Sequence, residues 1–157
     1  MEKQHTYHTA IRWTGNKGHG TTGYRNYERD YTISAEGKPD ISGSSDPAFR
    51  GDKAKYNPED LLLASIASCH MLGYLHLCSE AGVIVVDYSD RATGLMEETP
   101  DGGGRFLFVT LFPAVTVTES SMVEKANELH HEANKLCFIA NSLNFKVDHQ
   151  PTCVVKQ

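Results

Sequence analysis

The chain has 157 residues, 39% of them hydrophobic, with 15 Lys and Arg against 20 Asp and Glu for a formal charge of -5. A pI near 5.9 and the lack of any Lys or Arg run argue against a nucleic-acid footprint. The length suits one domain, 1–157, with a single core. The opening MEKQHTYHTAIRW has no apolar leader run, and no uninterrupted apolar stretch approaches the roughly 18 residues of a bilayer span. The expected address is cytoplasmic, with neither membrane nor nucleic acid as partner.

QHTYHTAIRW and GYRNYERDYTIS, rich in Tyr, Thr and Ile, predict strands on either side of the turn-forming TGNKGHGTTG. AEGKPDISGSSDPAF predicts a polar connection. Asn57-Pro58-Glu59 then marks a helix start: Asn57 as cap, Pro58 at the first helical position, acids in the first turn. This helix should run to Ala81 and stop at Gly82. Its interior, LLLASIASCHMLGYLHLC, is apolar around most of its circumference, as in a helix buried on several sides. GVIVVDYSDRATGLMEE predicts a strand, TPDGGG a turn, and RFLFVTLFPAVTVT the antiparallel return. A second helix is expected from Glu119 to about Leu136 with Thr118 as cap, its apolar positions Met122, Val123, Ala126, Leu129, Ala133 and Leu136. NFKVDHQ and TCVVKQ close the chain as short strands. Strands, long helix, hairpin, helix and strands make an α+β fold rather than alternating βαβ units.

Four cysteines, Cys69, Cys78, Cys137 and Cys153, form no C-x-x-C pair, and cytosolic thiols stay mostly reduced. A core cysteine is ordinarily a small hydrophobe. Cys69, however, follows the small residues Ala64, Ser65, Ala67 and Ser68, which allow a partner element to approach closely. Cys78 projects about 180° away around the same helix. Cys137, at the end of the second helix, is the better partner, since a helix-end thiol can reach one on a neighbouring helix across the ~6 Å Cα separation of a disulfide. Cys153 reads as packing. Neither His70/His76 nor His130-His131 has the i, i+4 spacing of a helical metal pair, so no metal is expected.

Asn57-Pro58-Glu59, Leu61-Leu62, the small residues, Cys69 ten positions after the glutamate, and Cys137 closing the second helix together resemble the OsmC/Ohr family, the osmotically inducible and organic hydroperoxide resistance proteins. The resemblance covers about Phe49 to Phe145. It implies an OsmC-like fold: two long central helices wrapped by antiparallel curved sheets in an intertwined homodimer. It also implies thiol-dependent reduction of organic hydroperoxides, with Cys69 as peroxidatic thiol, Cys137 as resolving thiol and Glu59 as the acid. An arginine upstream is expected too; Arg50 is nearest, with Arg25 and Arg29 as alternatives. Phe138 stands after the second cysteine, where the family often has proline. No cofactor is implied beyond a dithiol reductant as co-substrate, such as a lipoylated protein.

The chemistry sets its own demands. Attack on peroxide needs a thiolate, yet free Cys titrates near 8.5 and apolar burial raises it, so a cation must lie close to sulfur. Arginine suits because it stays charged. Glu59 and Cys69, ten residues apart on one helix, are separated by ~15 Å of rise. A site using both must draw Glu59, with Arg50, from another subunit or from a loop folded back. Phe49, Ile66, Met71, Leu72, Phe138 and Ile139 are the expected pocket walls, favouring an alkyl tail over hydrogen peroxide. The alternative keeps the scaffold without the catalysis, as a small-ligand-binding or redox-sensing protein.

Overall fold

Asn57 starts the longest element of the computed structural model, which describes residues 2–157. Its Oδ1 accepts the Asp60 N–H at 2.8 Å, the cap the sequence predicts, and Asp60 Oδ2 accepts the Asn57 N–H at 3.3 Å, which makes the cap reciprocal. Helix α1 runs Pro58–Glu80, and Gly82, at φ 72, supplies the left-handed stop. The chain divides into two compact units, Met1–Leu61 and Leu62–Gln157.

In the first unit β1 (Ala10–Trp13), β2 (Tyr31–Ser34) and β3 (Ile41–Gly43) form an antiparallel sheet in that order. The strands are shorter than expected. GYRNYERD is a loop, folded around Arg29, whose guanidinium donates to the Tyr27 and Tyr24 carbonyls at 2.7 Å each and stacks over both tyrosine rings. Conversely, β3 emerges from the expected connection because its Gly43 lies opposite Tyr31. A Cβ there would come within 2.3 Å of the Tyr31 ring.

In the second unit, the expected strand 82–98 splits into β4 (Val85–Asp90) and β5 (Thr93–Glu98), and its return splits into β6 (Gly104–Leu111) and β7 (Pro113–Val117). The breaks coincide: Asp90 Oδ1 accepts the Phe112 N–H at 2.8 Å where both strands change sheets. Helix α2 is Val123–Leu136, preceded by a 3-10 turn at Ser120–Met122, and Thr118 Oγ1 meets Met122 Sδ rather than capping the helix. The closing strands β8 (Lys146–His149) and β9 (Thr152–Val155) pair parallel with β6 and β7, so the sheets β5-β6-β8 and β4-β7-β9 are mixed rather than purely antiparallel. Both pairings follow the α2 crossover, the kind of connection parallel strands require.

Helix α1 has 23 residues and a mean hydropathy of 1.6 over 18 of them, so by length and composition one helix is apolar enough to cross a bilayer, a correction to the sequence expectation. Counting uninterrupted apolar residues misses it because serines and histidines punctuate the run. One of them, His70, together with Tyr74 ties the helix into a protein core. Tyr74, Cys78, Val115, Val117, Ala126, Leu129 and Ala133 form one buried cluster, and Ile66, Val109, Leu111 and Val147 another. Tyr74 OH donates to the Ala126 carbonyl at 2.9 Å. His70 Nε2 and His130 Nδ1 lie 3.0 Å apart, each residue 1% exposed, and the His130 ring stacks on Tyr74 at 3.8 Å. His149 on β8 stacks 5.8 Å from His70.

Burial holds His70 down to about 4, helped by His149, and His130 down to about 3, helped by His70 and His149. Both imidazoles are therefore neutral when folded and protonate through about 6.5 when unfolded. Their contribution to stability is complete above that value and is lost as pH falls toward the folded values. Urea midpoints should fall steeply between pH 6.5 and 4, the pair adding up to about 2.7 kcal/mol per pH unit to the slope. A His70→Phe/His130→Phe double variant, which removes both hydrogen-bonding partners together, should show a visibly flatter profile.

Candidate active site

Cys69 lies three helical turns into α1, half-exposed, beside the buried stripe Ile66, His70, Tyr74 and Cys78. Helical geometry turns it about 100° from His70, so its sulfur opens on a cavity of about 390 Å3. The α1 side of this cavity is Ser65, Ser68, Cys69, Leu72 and Gly73, and the opposite wall is Leu136, Phe138 and Ile139. Ser68 Oγ donates to the Ala64 carbonyl at 2.7 Å, which spends its hydroxyl on the helix. None of the lining residues is charged.

Cys137 closes α2. Its extended backbone, φ -68 and ψ 111, ends the helical path and starts a tight turn. Its sulfur accepts the Ala140 N–H at 3.5 Å, and its carbonyl accepts the Asn141 N–H at 3.0 Å. Asn141 Nδ2 also donates to the Lys135 carbonyl at 2.9 Å, holding the turn against the helix end. Cys137 is 4% exposed and lies outside the cavity lining. Burial pushes its thiol up to about 11, against the pull of the Ala140 N–H and with a further rise from the adjacent Cys69 thiol. The two sulfurs are thus neighbours of unequal exposure, and both are free thiols. Cys78 and Cys153 belong instead to the core cluster around Tyr74, where burial raises both.

Of the expected walls, Leu72, Phe138 and Ile139 line the cavity. Ile66 does not: it is fully buried against Val109 and Leu111. Met71 is off the lining too, and its place about 200° around the helix from Cys69 accounts for that. Phe49 is in the first unit, at the end of the 3-10 turn Pro47–Phe49. Sequence reasoning missed Ser65, Ser68, Gly73 and Leu136 as lining residues. Ser65 and Gly73 stand four positions either side of Cys69, a spacing that could have found them. Leu136 follows the apolar period of α2, yet it is 58% exposed because the helix ends there.

The remaining candidates lie in the first unit. Arg50 closes the 3-10 turn at φ 66, and among the described residues it is the one non-glycine with a positive φ. This conformation costs about 1 kcal/mol. Its guanidinium sits 5.9 Å from the Tyr24 ring and makes no hydrogen bond or ion pair among the described residues. Arg29 is committed to its own loop as described above. Arg25 is exposed. Glu59, in the first turn of α1, has Oε2 buried without a hydrogen-bond partner among the described residues.

Solved structures share this architecture. An OsmC-like protein of unknown function from Vibrio cholerae is 26% identical, with a TM-score of 0.85 over 95% of this chain and 100% of that one. An organic hydroperoxide resistance protein from Legionella pneumophila is 18% identical, with a TM-score of 0.69 over 99% and 100%. A second Vibrio cholerae structure, a putative organic hydroperoxide resistance protein with captopril in one of its active sites, is 22% identical, with a TM-score of 0.63 over 98% and 95%. No curated protein matches the chain. The family model for OsmC-like proteins matches residues 51–151, a span that takes in both helices, strands β4 to β8 and the two neighbouring thiols, and the chain belongs to that family.

Proposed function

We propose that the chain is a cysteine-based hydroperoxide reductase acting on organic hydroperoxides. The observation that supports it is the pairing of a half-exposed thiol, open to an apolar cavity, with a buried thiol beside it. The Cys69 thiolate attacks one peroxide oxygen, the O–O bond breaks, and the leaving alkoxide takes a proton to become the alcohol. Cys69 is left as a sulfenic acid. The Cys137 thiol condenses with it, water leaves, and the disulfide shields sulfur from over-oxidation. A dithiol then restores both thiols, a cycle suited to a reducing compartment such as the cytoplasm. Hydroperoxide-resistance relatives of the same fold agree with this reading.

The cation at Cys69 comes from Arg50 of a second copy, braced by the unpartnered Glu59 carboxyl oxygen. Arg29 is held in its own loop by the Tyr24 and Tyr27 carbonyls and rings. The exposed α1 face of Ala64, Ser68, Leu72 and His76 is the surface that copy covers in a homodimer, which leaves the Leu136 and Phe138 side of the cavity as its mouth. Small residues along it let a partner helix approach closely.

Wild-type protein should consume cumene hydroperoxide with dithiothreitol, and Cys69→Ser should lose more than about a hundredfold in kcat/KM. Undiminished turnover by that variant removes the reading. Burying about 100 Å2 of alkyl tail is worth about 2.5 kcal/mol, so cumene hydroperoxide should outrun hydrogen peroxide on the order of 70-fold. Arg50→Met should slow iodoacetamide labelling of Cys69 at pH 7 about tenfold, while Arg25→Met leaves it unchanged; the reverse pattern moves the role to Arg25. Sedimentation should give twice 17.4 kDa, and Leu72→Asp should shift the protein toward monomer.

A further inference from the structure

The two sulfurs differ in access, and that difference gives the reductive half-reaction a direction. We propose that a small dithiol attacks the Cys69–Cys137 disulfide at Sγ of Cys69, from the cavity, and expels Sγ of Cys137 as the leaving thiolate; the place of this step in a catalytic cycle rests on the reading above. The reductant's thiolate forms a new bond to Cys69 Sγ, the Cys69–Cys137 bond breaks, and its electron pair goes to Cys137. Cys137 then takes a proton. The second thiol of the reductant displaces Cys69 as thiolate and closes the reductant's own disulfide, so two electrons pass from dithiol to protein.

Access decides between the sulfurs. Exchange requires the attacking sulfur to reach its target. Cys69 faces a cavity of about 390 Å3, whereas Cys137 is 4% exposed and lines none of it. The leaving side is prepared as well. The turn after Cys137 aims the Ala140 N–H at its sulfur from 3.5 Å, and the Ile139 N–H also favours the anion there. Burial works the other way, since a thiol pushed up to about 11 is a slower leaving group. That same property makes the released thiolate protonate at once, so it does not attack the mixed disulfide and reverse the step. A sulfur out of reach does not react at all, so access outweighs leaving-group strength. A dithiol is favoured over two monothiols because its second thiol is already held beside the first adduct and need not enter the cavity separately.

The test uses wild-type protein oxidised with diamide, so peroxide is not involved. One equivalent of 2-mercaptoethanol is added, the mixture is acid-quenched within seconds, free thiols are alkylated, and peptides are mapped by mass spectrometry. The adduct should sit on Cys69 with Cys137 alkylated, in about tenfold or greater excess over the reverse. An adduct on Cys137, an even split, or failure of diamide to join the two thiols overturns the proposal. Leu136→Trp, which narrows the cavity, should slow reduction of the diamide-made disulfide by dithiothreitol; an unchanged rate means that attack comes at Cys137. If peroxide fails to oxidise either thiol while the diamide-made disulfide maps as expected, the catalytic reading falls and the direction of attack stands.

Discussion

The contact of α1 with α2 fixes the thiol pair. Tyr74 donates to Ala126 and His70 meets His130, so positions fall along α1 while they rise along α2, and the helices pack antiparallel. On α2 the residues facing α1 are spaced 126, 130, 133 and 137, a stripe of buried positions that Cys137 ends. On α1 the buried stripe is 66, 70, 74 and 78, of which His70 and Tyr74 meet α2, with Cys69 at its edge. One sulfur is thereby buried and the other left half-open. The inequality of the two thiols is a consequence of where each falls on its helix.

This contact is polar, which is unusual for the centre of a core. His70 Nε2 and His130 Nδ1 satisfy each other across the helices, His70 Nδ1 is buried without a partner among the described residues, and the stacking of His130 on Tyr74 replaces the packing an aliphatic pair would give. Burial disfavours the charged form of both imidazoles, so protonation works against the arrangement. Helix register is thus tied to protonation, whereas aliphatic contacts such as Ile66 on Val109 hold at any pH.

Much of this is legible in the sequence wherever local chemistry governs. Asn57 and Gly82 bound α1 as their types require, and the position of Cys137 at the end of an amphipathic run is fixed by periodicity. What the sequence conceals is non-local. The split of each long strand into two depends on Asp90 meeting Phe112, 22 residues away. Likewise His70 and His130 look like surface residues or failed metal ligands until α2 folds back over α1. Ile66 and Leu136 exchange places relative to expectation for a related reason. Apolar character alone does not say which side of a helix, or which side of its last turn, finds a partner.

The cavity itself carries the last constraint. Its serine hydroxyl at position 68 is spent on the helix, Leu72, Leu136, Phe138 and Ile139 make it mainly apolar, and none of its lining residues is charged. An apolar cavity of this kind binds an alkyl tail well and solvates an anion badly. A thiolate there therefore depends on a charge brought to it, and the stripe Ala64, Ser68, Leu72 and His76 is the exposed side of the same helix from which a second copy can bring one. Under the proposed reading, substrate preference and dependence on assembly then share one cause: the walls that favour an organic hydroperoxide are the walls that deny the sulfur a counter-ion of its own.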